Sequence, residues 1–398
     1  MRVARELGDD LAADALDRDR AGKQPYDEVA RLRDSGLPTV LAPPDAAGGG
    51  TDAGMDWGDA CAIVRRIAAA DGSMGELLGR HHVLSWSARF FAAPERVSEL
   101  EARAVRGQWL WAGDTGTTSA DEPSHLDDGA CLVLTPAVGG FRLNGHRTLP
   151  TAVDVADRLV LDAVSTSTGE TLVVLVDPHH PGVGRAPLPD RLGQRLAGAG
   201  TVHFDDVAIG ADDLLGTAAR DEDAVAPFAT VAPLALRLML SHVALGVAEG
   251  ALTEARDHSR AASHTRPRGS AENLLAPAPG VDADLLLAFG ELALAVHSAS
   301  AVVGRATAAM AETLRAGRAL DAEQCADTAA LVAVAEAVTV RAALVTGEGV
   351  LQIADADGID RFWRNIRVLA GRGPAGPALR AIGDHFLYGE GATSARWT

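Results

Sequence analysis

Residues 140–164 read GFRLNGHRTLPTAVDVADRLVLDAV, and this stretch decides the fold class. Its two ends, GFRLNGHRTL and RLVLDAV, carry the alternating or β-branched apolar residues that are typical of strands, and Pro150 lies between them. Similar runs, separated by Gly, Pro and Asp, lie on both sides: CLVLTP (131–136), TLVVLVD (171–177) and TVHFDDVAI (201–209). We therefore predict a middle β-domain at residues 108–220.

Helical spacing of apolar residues flanks this β-domain. Up to about Phe91 apolar residues recur three and four positions apart, which predicts an N-terminal helical domain at residues 1–107. Beyond the β-domain the same period returns in long segments, which predict a C-terminal helix bundle at residues 221–398. These segments are 226–262, 281–316, 321–353 and a shorter one that ends near Phe386. Helices, strands and then helices make an α+β fold, not the alternating order of a doubly wound nucleotide-binding fold.

The composition narrows the class of function. The 398 residues carry a formal net charge of -18, which disfavours nucleic acid as a partner because a polyanion would be repelled. With 47% hydrophobic residues the chain can bury a large core. Its 3 cysteines form no CxxC pair, which argues against a disulfide framework and against a cysteine-based metal site.

Targeting and membrane signals are weak. Residues 1–20 carry acidic side chains and lack the apolar core of a signal peptide, so we expect a cytoplasmic protein. The most apolar stretches, such as 285–303, contain Glu291 and His297 and are expected to be bundle helices, not membrane spans. No glycine-rich phosphate loop follows a strand and opens a helix, which disfavours phosphate-loop enzymes.

The order of the three regions resembles the acyl-CoA dehydrogenase superfamily over about residues 11–389. In the β-domain, GFRLNGHRTLPTAVDVADRLVL is similar to the strand pair that passes the flavin ring in that superfamily. GIDRFWRN (358–365) is similar to a helix of its reduced-flavin-dependent monooxygenase branch, which includes dibenzothiophene monooxygenase and amino-sugar N-oxygenases. The resemblance implies an N-terminal helical domain, a middle β-barrel-like domain and a C-terminal four-helix bundle.

The same resemblance implies a two-component monooxygenase. A separate flavin reductase would deliver reduced FMN or FAD, and this chain would use it with O2 to oxygenate a small organic substrate at nitrogen, sulfur or carbon. A homotetramer, or at least a dimer, is expected because bundle segments such as LLLAFGELALAV (285–296) are apolar on more than one face.

Two adjacent histidines, His81 and His82, match the helix on which the branch carries an active-site histidine. A nearly neutral imidazole suits proton transfer near pH 7, so both are candidate catalytic residues. His82 shares a helical face with Trp86, and His81 shares the next face with Ser85. Spacing therefore does not decide which histidine faces the pocket, and a core or surface histidine is the alternative.

Thr151 and Trp111 are predicted to lie at the flavin. Thr151 matches the branch's serine after an Asn-Gly-x-Lys turn, where a hydroxyl can bond the flavin edge, so it is a candidate catalytic and cofactor-binding residue. Its alternative is an ordinary strand threonine. Trp109 and Trp111 lie where the family's loop reaches flavin and substrate, and their spacing places both on one face of a strand.

Arg266, Arg364 and Asn365 match positions that approach the flavin phosphate in the superfamily, some of them across a subunit boundary. Arginine suits this role because its planar guanidinium binds phosphate through two N–H groups. For Arg364 the alternative is a salt bridge within the subunit, with Asp360 as a candidate partner.

The chain departs from the branch after this helix. Leu369 and Arg372 stand where the branch usually has a histidine pair, so oxygenation would depend on His81 or His82, or would have been lost. Two other functions stay open. One is an FAD-dependent desaturase of the acyl-CoA dehydrogenase type, with Glu390 as its base; the other is a catalytically silent paralogue that acts as a binding protein.

Overall fold

A computed structural model describes residues 1–43, 56–114, 132–218, 228–265, 283–371 and 375–388. The helices before the sheet are α1 (Arg2–Ala13), α2 (Ala15–Ala21), α3 (Tyr26–Asp34), α4 (Trp57–Ala70), α5 (Gly72–Ser85), α6 (Ser87–Phe91) and α7 (Pro94–Arg106). The strands are β1 (Trp111–Asp114), β2 (Val133–Ala137), β3 (Gly140–Leu149), β4 (Arg158–Ser165), β5 (Thr171–Val176), β6 (Val183–Pro187), β7 (Gly200–Gly210) and β8 (Leu214–Thr217). The later helices are α8 (Val231–Thr265), α9 (Ala283–Ala316), α10 (Ala322–Ile353), α11 (Asp360–Ala370) and α12 (Ala375–Tyr388).

The strands form one sheet in the order β6-β7-β3-β2-β4-β5-β8, and β1 pairs with β4 in parallel. Each of the five runs predicted from the sequence contains a strand, and the strand expected at Trp109 and Trp111 begins only at Trp111 as β1, whereas β6 and β8 were not predicted. Strands β6 and β8 span only 5 and 4 residues, and β6 is exposed along most of its length. A short or exposed strand buries too few side chains to leave a hydrophobic pattern in the sequence.

Helices α4, α5 and the long helix α8 pack on one another, and glycines permit this close packing. A Cβ atom at Gly75 would lie 2.4 Å from the Cβ of Ala68 on α4. A Cβ atom at Gly250 on α8 would lie 2.0 Å from the carbonyl oxygen of Ala69. Any larger residue at either position would push the helices apart, so Gly75 keeps α5 close to α4, and Gly250 keeps α8 close to α4.

Three helices of the described chain, α8, α9 and α10, are long and apolar enough to cross a membrane by length and composition alone. Their packing differs: the most apolar window is 83% buried in α8 and 50% in α10, but only 22% in α9. Helices α9 and α12 expose large apolar side chains, namely Leu286, Leu287, Leu294, Phe386, Leu387 and Tyr388. The described part of the chain leaves this apolar surface uncovered.

Candidate active site

Helix α5 carries both candidate histidines and begins at a side-chain cap. The carboxylate of Asp71 accepts the backbone N–H groups of Ser73 at 2.9 Å and Met74 at 3.1 Å. A carboxylate here satisfies N–H groups that have no partner within the helix and interacts favourably with the positive end of the helix dipole. Nearly every residue of α5 is buried, which holds the two histidines in fixed directions.

Both ring nitrogens of His81 bond to backbone groups. Nδ1 accepts the N–H of Trp111 at 3.1 Å, and Nε2 lies 2.8 Å from the carbonyl oxygen of Pro38. Because Nδ1 is an acceptor, the single ring proton is on Nε2 and is donated to Pro38. Burial lowers the pKa of His81 to about 4, although the bond to Pro38 opposes this shift. His81 is therefore neutral at pH 7 and links α5 to β1.

His82 is fully buried, and neither of its ring nitrogens has a hydrogen-bond partner among the described residues. Burial lowers its pKa well below the usual range, and the neighbouring His81 adds to this effect. On the helix, His82 lies three residues beyond Gly79, whose Cβ position faces Val64 of α4 and Met239 of α8. His82 thus faces the helical core, about 5.4 Å from His81 between ring centroids.

A cleft, called here the aromatic cleft, opens on the His81 side of α5; the space between its walls, open solvent included, is about 400 Å³. Its walls come from the turn after α3, from α5, from α7 and from β1. The lining residues are Pro38, Thr39, Leu41, Ala42, Pro43, His81, Ser85, Trp86, Glu101, Ala104, Val105, Trp109 and Trp111. The structure thus places His81, Trp109 and Trp111 in the wall of one cleft, and His82 is not among the residues that line it.

Trp109 is held at the cleft by the turn that ends α7. The N–H of Gln108 donates to the Val105 carbonyl at 3.0 Å, and the N–H of Trp109 donates to the Ala104 carbonyl at 3.0 Å. This is the hydrogen-bond pattern of a Schellman helix end, which requires a left-handed residue and usually has glycine there. Gln108 takes that conformation with φ of 46°, at a cost in backbone strain.

The glycine of this corner is the preceding residue, Gly107. Its φ is ordinary, but a Cβ atom there would lie 2.4 Å from Nε1 of Trp109. The indole ring therefore packs directly on the backbone of Gly107. It also contacts the Trp111 ring at 5.7 Å between centroids, and the Arg158 guanidinium lies 4.3 Å from its ring centre. These contacts fix the orientation of Trp109.

A family profile for the acyl-CoA dehydrogenase C-terminal domain matches residues 238–371. Dibenzothiophene monooxygenase of Rhodococcus erythropolis is 30% identical over 98% of this chain and 93% of its own length. The chain belongs to the acyl-CoA dehydrogenase superfamily. A probable FMNH2-dependent monooxygenase, SfnC of Pseudomonas putida, is 26% identical over 97% of this chain and 94% of its own.

Solved structures agree with the monooxygenase branch. The complex of TdsC from Paenibacillus sp. A11-2 with FMN and indole has a TM-score of 0.87 at 28% identity, covering 100% of this chain and 99% of TdsC. Butyryl-CoA dehydrogenase of Megasphaera elsdenii, at 19% identity and a TM-score of 0.74, shares the fold alone. The fold class predicted from the sequence is confirmed, and this superfamily member is a flavin-dependent monooxygenase.

Thr151 lies two residues after β3 ends at Leu149, so it is not the ordinary strand threonine that was the alternative; it is buried and is not among the residues that line the aromatic cleft. The next residue, Ala152, has φ of 60°, and its N–H donates to the Ala197 carbonyl at 2.8 Å. The loop before β7 therefore packs against Thr151. A left-handed alanine is strained, and such strain is frequent where a fold positions a functional side chain.

Arg364 and Asn365 lie in a different place, where α2, the start of α5, the loop before β7 and α11 meet. We call this cluster the polar junction; its members are Arg18, Asp19, Asp71, Gln194, Arg364 and Asn365. Arg364 donates to Asp19 at 2.5 Å and to Asp360 at 2.9 Å. The salt bridge to Asp360, which the sequence left as an alternative, is thus present. The Oδ1 atom of Asn365 accepts the N–H of Gln194 at 2.7 Å.

Arg18 completes the junction. Its guanidinium donates to Asp71 at 2.5 Å and to the Leu11 carbonyl at 2.5 Å. Asp71 is the residue that caps α5, so the N-terminal helices, α5, the sheet loop and α11 are joined through one polar network. The buried charges compensate one another within this chain, as buried ions must.

Of the remaining predicted positions, one lies in the described part of the chain and three lie outside it. Leu369 packs on the buried face of α11. Arg266, Arg372 and Glu390 lie outside the described residues. Among the described residues, the predicted phosphate ligand Arg364 is paired with the carboxylates of Asp19 and Asp360.

Sequence reasoning missed several residues of the site. Glu101, Gly107 and Gln108 shape the aromatic cleft, and Arg18 and Asp71 hold the polar junction. Glu101, Ala104 and Val105 do repeat at helical spacing, but the same spacing describes any amphipathic helix. Asp71 stands before helix α5 in the manner of a common helix cap, yet nothing in the sequence shows that Arg18 binds it.

Proposed function

We propose that this monooxygenase is a two-component enzyme which takes reduced FMN from a separate reductase and oxygenates a small planar aromatic molecule in the aromatic cleft. The observation that carries this proposal is the cleft wall itself, which three tryptophans, Trp86, Trp109 and Trp111, line together with His81. Aromatic rings favour planar ligands because stacked and edge-on contacts add to burial. Two relatives agree with a planar substrate: one is a dibenzothiophene monooxygenase, and TdsC has been solved in complex with FMN and indole.

The bound reduced flavin supplies two electrons, so that one atom of O2 enters the substrate and the other leaves as water. The chain's residues orient the substrate and exclude water. The indole rings provide a low-polarity wall, and the turn at Gly107 fixes one of them. His81 presents one neutral imidazole with its proton on Nε2.

We propose that His81 is the histidine that handles a proton in the cleft, after its bond to the Pro38 carbonyl opens. His82 then supports His81 from the core side, at a ring distance of 5.4 Å. Thr151 is proposed to form a hydrogen bond with the edge of the flavin. It is buried just after β3, and the family resemblance places the residue at this position beside the flavin ring.

FMN is favoured over FAD because the relatives name FMN. A phosphate ligand would then come from Arg266 or from a second copy of the chain. The uncovered apolar side chains of α9 and α12 support a homotetramer or a dimer, which would bury them. A cytoplasmic location, where a reductase can supply reduced flavin, completes the proposal.

The test is an assay with purified protein, FMN, a flavin reductase, a nicotinamide reductant and indole under isotopically labelled oxygen. We expect an indole product that carries one labelled oxygen atom, and no product when the reductase is omitted. Release of hydrogen peroxide alone, with indole, benzothiophene and other bicyclic aromatics all unchanged, would reject the proposal.

The double variant His81→Ala with His82→Ala tests the histidines in the same assay. We expect labelled product to fall by about a hundredfold or more, with hydrogen peroxide release continuing. Single variants then separate the two residues: loss with His81→Ala and retention with His82→Phe would assign the chemistry to His81. Normal oxygenation by the double variant would move the search to Thr151.

A further inference from the structure

Glu101 places a carboxylate in the wall of the aromatic cleft. It lies on α7 one turn before Ala104 and Val105, which line the same wall, and its side chain is 11% exposed. Among the described residues that line the cleft, it is the only one with a charged side chain. A carboxylate in such surroundings is costly unless its oxygens are hydrogen-bonded.

Only one of the two carboxylate oxygens is bonded. Oε1 accepts Nε of Arg89 in a short contact, and the Arg89 guanidinium lies 4.3 Å from the centre of the Trp86 ring. The arginine is thus fixed between an indole ring and the carboxylate, so the pair cannot rotate freely. Within the described part of the chain, Oε2 has no hydrogen bond.

Oε2 of Glu101 has no hydrogen-bond partner in the described part of the chain and belongs to a cleft lined by indole rings, which favours a ligand with two properties. The ligand must be planar and apolar to pack on the rings, and it must carry a hydrogen-bond donor for Oε2. A sulfur or oxygen heterocycle has the first property but not the second, since its ring atom has no hydrogen to donate. An aromatic N–H group has both.

We propose that the substrate is a planar aromatic molecule with an N–H donor, and that Glu101 is the residue which selects it by accepting that hydrogen. This inference rests on the proposed function, because it assigns the substrate to the same cleft. Glu101 is a specificity-determining residue here and takes no part in oxygen transfer.

The test compares two ligands of nearly the same shape, indole and benzothiophene, of which only indole has an N–H donor. Binding to the flavin-free protein is measured by calorimetry for the natural chain and for Glu101→Gln, which keeps the shape and can still bond Arg89. We expect the variant to weaken indole binding by about fivefold or more, because a charged acceptor becomes neutral. Benzothiophene binding should stay within about twofold.

Glu99→Gln is the matched control, since Glu99 lies on the same helix and is exposed. It should change neither affinity. A thermal unfolding scan of each variant shows whether the fold is kept, and Glu101→Met serves as a second variant if Glu101→Gln unfolds.

The outcomes separate the two proposals. If the natural chain binds neither ligand, the proposed aromatic substrate is wrong. If it binds both, and Glu101→Gln weakens both equally or neither, the aromatic cleft stands and the assignment of Glu101 is overturned.

Discussion

The aromatic cleft and the polar junction were both predicted as parts of a flavin site, and they differ in what their polar groups do. In the polar junction, Arg364 and Arg18 are paired with Asp19, Asp360 and Asp71. In the aromatic cleft, Glu101 keeps an oxygen without a partner among the described residues, and three indole rings face an open space. Charges that are matched within the chain stabilise the fold, whereas a carboxylate oxygen left unmatched beside a cavity indicates a binding site. The polar junction also borders a small cleft, and the side-chain amide of Gln194 has no hydrogen-bond partner among the described residues, so the contrast concerns the charged groups of the two regions.

Removing Arg18 should give the largest effect, because it breaks the polar junction at its centre. The side chains of Arg18 and Asp71 are only 10% and 6% exposed. We expect Arg18→Ala to lower the free energy of unfolding by about 3–5 kcal/mol, since Asp71 would be left buried without its partner. Denaturant unfolding measures this.

Arg20→Ala is the control for that experiment, since Arg20 pairs with Asp357 on the surface, at 55% and 77% exposure. It should leave the free energy of unfolding nearly unchanged, because exposed ion pairs contribute little to stability. Equal, small losses for the two variants would show that the junction does not hold the fold together, and the contrast with the cleft would fail.

Acid should destabilise the fold through His81. Its pKa is about 4 in the folded chain and 6.5 for an unperturbed histidine, so the unfolded chain binds the proton more readily between these values. The free energy of unfolding therefore falls as the pH drops from about 6.5 towards 4, by about 3 kcal/mol in total for this group. Above pH 6.5 the contribution is constant.

Unfolding curves at several pH values for the natural chain and His81→Gln measure this slope. The variant should show a smaller loss of stability in acid, while His258→Gln, at an exposed position, should follow the natural chain. If His81→Gln keeps the full slope, the buried neutral imidazole is not the source, and His82 or His242 becomes the residue to replace.

The variant Arg364→Ala tests whether Arg364 belongs to the polar junction or to a phosphate site for the flavin. If Arg364 serves the polar junction, the free energy of unfolding falls by about 1.5–3 kcal/mol as the charged hydrogen bonds to Asp19 and Asp360 are lost. FMN affinity should then be unchanged. The contrary result, weaker FMN binding with unchanged stability, would return Arg364 to the phosphate site that the sequence predicted.

The turn at Gly107 and Gln108 gives the smallest expected effect on stability. Gln108→Gly should raise the free energy of unfolding by about 0.5–1 kcal/mol, because glycine adopts φ of 46° without strain. Gly107→Ala should leave the fold intact but displace Trp109, so that indole binding weakens. Unchanged indole affinity in Gly107→Ala would remove Trp109 from the binding wall.

The sequence predicted the long elements well and the short ones poorly. Helices α9 and α10 begin within two residues of the predicted segments, since thirty or more residues of helical spacing leave a strong signal. Strand β8 was not predicted because it spans only 4 residues, which is too short to leave a periodic signal. The sequence named His81 and Trp111 but not Glu101, which looks like any polar residue on an exposed helix.

What the sequence by itself determined is the order of helices, sheet and helices and the membership of the flavin-dependent monooxygenase branch. Both rest on patterns that lie along the chain, namely the spacing of apolar residues and phrases such as GIDRFWRN. Only the tertiary structure decided that His81 and not His82 lines the aromatic cleft and that Arg364 binds Asp19. It also showed that Oε2 of Glu101 has no hydrogen-bond partner among the described residues. These contacts join residues that lie far apart in the sequence. Burial and electrostatic pairing depend on the distances between groups in the folded chain, which the spacing of residues in the sequence does not give.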